Sequence, residues 1–187
     1  MNKPAIAAAA ASILVLAACG KSDEGVSAKN ASVDEVQEKV AAATKSGEFM
    51  APGQWKGSMK VTNLAFPEEE KLPAAMRDQM KAQMAKGHSF ENCLTPEEAR
   101  DPRKNLADNQ GGQCTYDHFE MANGVIDAKM TCNAGGAKRV MTMNGTYSRD
   151  SYDMKMSARG DGSGPAAMSM DMEMSARRVG ECKAGDS

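Results

Sequence analysis

Met168, Met170, Met172 and Met174 stand at every second position of the stretch MSMDMEMSARR, with Ser169, Asp171 and Glu173 between them. Thioether sulfur is a soft, neutral donor suited to Cu(I) and Ag(I), and the chain carries 16 methionines. Alternation at period two puts these sulfurs on one side of a β-strand and the polar residues on the other. Such a row suits a soft-metal site in which some of Met154, Met156, Met168, Met170 and Met172 converge on one Cu(I), or the buried side of a sheet. It also suits an adaptable pocket for an apolar ligand or partner. With only 4% aromatic residues, a core in this chain needs flexible filler, which favours the core reading over the metal one.

The remaining residues capable of chemistry are two histidines and five cysteines. His88 falls after a helix pattern, and alternation sets His118 on the side of its strand that carries Cys114 and Tyr116. Neither sits in a nucleophile or metal motif: GxSxG, HExxH and phosphate-binding glycine loops are absent from the sequence. The expectation is a protein without catalytic residues or a resident cofactor, Cu(I) being the alternative. A formal net charge of −2, from 23 Lys and Arg against 25 Asp and Glu, points to neither nucleic acid nor anionic headgroups as partner.

The chain opens MNKPAIAAAAASILVLAACG: Lys3, an apolar run too short to span a membrane comfortably, then Ala17 and Ala18 before Cys19. LAAC, Leu16 to Cys19, has the form of a bacterial lipobox, so residues 1–18 are expected to be a lipoprotein signal peptide and Cys19 the lipid-attachment site. Each acyl methylene buried in the bilayer adds about 0.8 kcal/mol, which makes the membrane a partner through the lipid. Gly20, where sorting to the inner membrane uses Asp, favours the periplasmic face of the outer membrane. A protein or small-molecule partner is left open by the sequence.

With Cys19 given to lipid, Cys93, Cys114, Cys132 and Cys182 form an even set in an oxidising compartment, and two disulfides are expected. CTYDHFEMANGVIDAKMTC reads as a hairpin; a three-residue loop at Ala122, Asn123 and Gly124 sets Met121 against Val125 and Cys114 against Cys132. A two-residue Asn-Gly turn would instead set Cys114 against Asn133, so the bridge favours the longer loop. Cys93 and Cys182 are then left to pair across the chain.

The positioning elements follow from the pattern. Residues 19–31 are small and polar and read as a lipidated tether, with one α+β domain over 32–187. SVDEVQEKVAAATKSG reads as a helix with Ser32 and Glu35 in capping-box spacing and Val33, Val36 and Val40 on one face. Period two over PGQWKGSMKVTNLAF puts Trp55, Met59 and Val61 on one side of a strand. LPAAMRDQMKAQMAKG runs as a helix between Pro73 and Gly87, with a stripe of Met76, Met80 and Met84 expected in the core. In LTPEEARDP, Thr95 and Glu98 complete a capping box. From about Gln113 to Arg177 the chain reads as hairpins, one turning at Arg149-Asp150 so that Tyr147 meets Tyr152, Gly145 meets Met154 and Met143 meets Met156. Residues 159–166 read as a flexible loop.

The resulting expectation is a mostly antiparallel, curved sheet of hairpins whose Met-rich face is covered by the short helices. In order along the chain, PGQW, CLTPEEA, GGQC, a cysteine before Gly135-Gly136, and SARRVGEC resemble the domain of unknown function family 3617, found in exported and lipid-anchored proteins of Gram-negative bacteria. The resemblance covers about residues 50–182; it supports the cysteine framework and the periplasmic address, and implies no activity, substrate or catalytic residue.

Overall fold

The computed structural model describes residues 25–44, 49–67, 69–100, 113–134, 136–161, 167–183 and 185. Residues 1–18, expected to be a signal peptide, Cys19 and residues 162–166 lie outside these. Eight strands form one open antiparallel sheet: β1 (Val26–Ser32), β2 (Gly53–Ala65), β3 (His88–Leu94), β4 (Gln113–Ala122), β5 (Val125–Ala134), β6 (Ala137–Ser148), β7 (Ser151–Gly160) and β8 (Ser169–Gly180). Their order across the sheet is β1-β4-β5-β6-β7-β8-β2-β3, so the meander β4 to β8 is flanked on both sides by N-terminal strands. Helices α1 (Val33–Thr44), α2 (Ala74–Ala85) and α3 (Pro96–Arg100) sit in the connections.

Local chemistry accounts for most of these boundaries. Ser32 Oγ accepts from Glu35 N at 3.1 Å and starts α1, as the capping-box spacing predicts. Thr95 and Glu98 close the reciprocal box at α3: Thr95 N donates to Glu98 Oε2 at 2.9 Å, and Glu98 N to Thr95 Oγ1 at 3.2 Å. The Arg149-Asp150 turn pairs Tyr147 with Tyr152, Gly145 with Met154 and Met143 with Met156, the register read from the sequence.

The β4–β5 hairpin combines a tight turn with the Cys114–Cys132 register. Its turn is the two-residue one, Asn123-Gly124, with φ of 52° and 74°, and Ala122 faces Val125. Cys114 nevertheless faces Cys132, because a bulge between Tyr116 and His118 inserts one residue into β4 and restores the register beyond it. The three-residue loop is therefore corrected to a tight turn plus a bulge. Both expected disulfides are present, Cys114–Cys132 and Cys93–Cys182.

Two further strands, β1 and β3, lie where no strand is expected from the sequence. The expected tether over 19–31 is shorter at its C-terminal end: β1 begins at Val26, pairs with β4 and buries Val26, Ala28 and Ala31, so the domain starts before residue 32. Asn30, at φ 49°, interrupts its alternation opposite the β4 bulge and keeps the two strands in step. His88 likewise lies not in a loop but at the start of β3, facing Met59.

The core is lopsided. α1 packs on β1 and β4, and Val36 joins Val26, Ala28, Ala31, Phe119, Met121, Ile126 and Ala128 in one buried cluster. α2 packs on β2 but buries none of its residues; Met76, Met80 and Met84 are 50%, 37% and 43% exposed. The expectation that this stripe is core is thus overturned: its spacing makes one face of a helix, but α2 presents that face to solvent.

Candidate functional site

Directly opposed residues in an antiparallel sheet share a face, on strands about 4.8 Å apart. The register therefore lines up sulfur across three neighbouring strands: Met143 of β6 faces Met156 of β7, which faces Met172 of β8, which in turn faces Val61 of β2. Two residues along, Gly145, Met154, Met174 and Met59 form the next rank, and on the other side Met141, Ala158, Met170 and Leu64 form a third. All of the methionines in these ranks are partly exposed, while Met143 and Met154 also touch the buried cluster under α1.

Gly145 shapes the second rank. A Cβ built there would meet Asp153 O at 2.3 Å and Met154 Sδ at 2.5 Å, so the Met154 sulfur lies over the space that a side chain would fill. Two ranks thus have three adjacent strands each contributing a thioether: β6, β7 and β8 in the first, with Met156 in the centre, and β7, β8 and β2 in the second, with Met174 in the centre.

Of the residues expected for a soft-metal site, Met154, Met156, Met170 and Met172 stand in these ranks, whereas Met168 lies just before β8, outside them. Met59, Met141, Met143 and Met174 complete the ranks; the Met143–Met156 pairing is legible from the turn at Arg149-Asp150, but the β7–β8 and β2–β8 registers have no such signal. Among the described residues, no group of three or more His, Cys, Asp or Glu is placed to hold a metal ion.

The opposite face is polar and cross-linked by charge. Asp171 accepts from Arg159 and, at 3.1 Å, from Asn63 Nδ2; Arg177 meets Asp153 at 2.8 Å and Lys155 meets Glu173 at 3.5 Å. A cleft of about 570 Å³ lies over this side, with Ser58, Lys60, Asn144, Lys155 and Glu173 on its walls. Hydrogen bonding from the Arg159 guanidinium holds the Asp171 carboxyl below its ordinary range, and Lys129 does the same for Asp117. Both pairs are exposed to solvent, so they contribute little; that little is present above the ordinary carboxylate pKa and is lost as pH falls through the depressed one.

The β4 bulge also moves His118. Expected beside Cys114 and Tyr116, it lies instead on the polar face, because the inserted residue reverses the alternation beyond Asp117. There its Nε2 is hydrogen-bonded to Asp127 Oδ1, and Asn144 Nδ2 donates to Asp127 Oδ2. His88, on the edge strand β3 at the other side of the sheet, is not brought near it.

Three of the sequence motifs meet at one corner. Trp55 is 1% exposed, stacks on Tyr152 with centroids 6.0 Å apart, and donates from Nε1 to Ala51 O at 3.1 Å. Arg178 Nε donates to Pro52 O at 2.7 Å, tying SARRVGEC to PGQW. Gly53, at φ 141°, leaves room for this: a Cβ there would meet Gly180 O at 2.4 Å and Arg178 Nε at 2.6 Å. The Cys93–Cys182 bridge then fastens β3 to the end of β8 beside them. PGQW, CLTPEEA and SARRVGEC thus build a structural clamp.

No curated protein and no solved structure matches this chain. The family model described as protein of unknown function, DUF3617, matches residues 50–182, which runs from the start of the clamp to its closing cysteine. The chain belongs to the DUF3617 family of proteins of unknown function.

Proposed function

We propose that this chain is a non-catalytic binding protein, anchored by lipid on Cys19 to the periplasmic face of the outer membrane, and that the methionine ranks across β6, β7, β8 and β2 are its binding face. One observation carries the reading: Met143, Met156 and Met172 oppose one another on three adjacent strands and all remain partly exposed. The lipobox LAAC and the paired cysteines support the address, since disulfides persist in oxidising compartments.

Cu(I) is the occupant that suits the first rank. Its donors are neutral thioethers, which match a soft ion and need no deprotonation. An apolar ligand is the second reading, favoured by Val61 opposite Met172 and Leu64 opposite Met170 on the same face.

A competition titration of Cu(I) against a chromogenic chelator, with an apolar fluorescent probe run alongside, tests both. Stoichiometric retention of Cu(I) is expected, lost in M156L and M172L; these near-isosteric exchanges cost under about 1.5 kcal/mol and keep the fold. Probe binding without Cu(I) retention would move the face to the apolar reading, and neither would remove the binding role. Separately, the mass spectrum of the mature protein is expected to begin at acylated Cys19, and an unmodified N-terminus would remove the anchor.

A further inference from the structure

The sulfurs of α2 face a different fate from those of the sheet. Met76, Met80 and Met84 are spaced four apart, so they form one stripe, and at 50%, 37% and 43% exposed they are among the most exposed large apolar residues described. Their helix buries no residue, packs on β2 and is pinned by the Lys81–Glu69 ion pair. Met121 and Met130, by contrast, are 5% and 8% exposed. Oxidation converts an apolar thioether to a polar sulfoxide, which disrupts a core but costs nothing on a surface already in water.

We propose that Met76, Met80 and Met84 form an oxidant-accepting site for small peroxides, taking up oxygen ahead of the sheet methionines while the fold stays intact. In each event a sulfur lone pair attacks one oxygen of hydrogen peroxide, forming the S–O bond as the O–O bond breaks. The proton on the transferred oxygen passes to the departing hydroxide, which leaves as water. The sulfur is oxidised by two electrons and the peroxide is reduced by two, so nothing else is consumed. Enzymatic sulfoxide reduction would regenerate the thioethers. This chemistry is independent of the binding role proposed for the ranks on β6 to β8 and β2, which it shields by reacting first.

The test exposes the folded, disulfide-bonded protein to less than one hydrogen peroxide per α2 methionine, then maps sulfoxide by peptide mass spectrometry. Met76, Met80 and Met84 are expected to carry at least about tenfold more oxygen than Met130, Met156 and Met172, with the melting temperature unchanged. The variant M76Q/M80Q/M84Q, whose substitutions all face solvent, should keep the melting temperature and lose the fast phase of peroxide uptake. Sulfoxide spread evenly over helix and sheet, a fast phase that survives in this variant, or a melting temperature lowered by α2 oxidation would each overturn the proposal.

Discussion

Replacing Trp55 by alanine is expected to destabilise the fold by about 3–5 kcal/mol, the range for truncating a large buried aromatic. Trp55 is 1% exposed and one of only two side chains described as fully buried at that level, the other being the much smaller Thr44. Its loss removes the indole from the Tyr152 ring and leaves Ala51 O without the Nε1 donor. Phenylalanine at the same position keeps most of the apolar area but not that donor, so W55F should cost a smaller amount, about 1–2 kcal/mol for the unmade hydrogen bond plus imperfect packing. Urea titrations of the three proteins check the order. A W55A midpoint close to wild type would show that the clamp is not where the stability of this end of the sheet resides.

Trp55 also shows what the sequence discloses and why. Its strand alternates, so its buried side could be read, and so could Met59 and Val61 beside it. The same logic succeeded for β6 and β7, where apolar residues match only when the chain turns at Arg149-Asp150, and for α1 and α3, whose caps are local hydrogen-bond patterns. Alternation failed where a strand has an extra residue. Asp117 and His118 are both polar, so the bulge at Asp117 leaves no mark in the hydrophobic pattern, yet it decides the face of every residue beyond it. β1 was hidden for a related reason, since Asn30 in the left-handed region breaks a seven-residue strand in the middle. β3, at the sheet edge, alternates too weakly to be distinguished from loop.

The methionines mark a different limit. Spacing tells which residues share a face but not what covers that face. A stripe at Met76, Met80 and Met84 and a row at Met170, Met172 and Met174 look equally suited to a core. The helix turns its stripe to water, and the row lies partly exposed beyond the part of the sheet that α1 covers. Which sulfurs are available for chemistry is therefore a tertiary property, set by where α1, the helix that joins the buried cluster, lands.

The two disulfides should separate in the same way that their loops do. Cys93–Cys182 spans 89 residues and Cys114–Cys132 spans 18. In the chain-entropy model the long link stabilises by about 4–5 kcal/mol and the short one by about 3 kcal/mol, because the longer loop removes more freedom from the unfolded chain. C93A/C182A is thus expected to lose more stability than C114A/C132A, and to raise the urea m-value more, since its unfolded state expands further. The location of the damage should differ as well. β3 is an edge strand held by β2 and by this bridge, so amide exchange in β3 is expected to quicken in C93A/C182A. Cys114 and Cys132 sit inside a hairpin already paired along both strands, and its exchange should change less. If the hairpin pair proves the costlier to remove, loop length is not what governs these links. Packing around Cys132, at 9% exposed, would then be the dominant contribution.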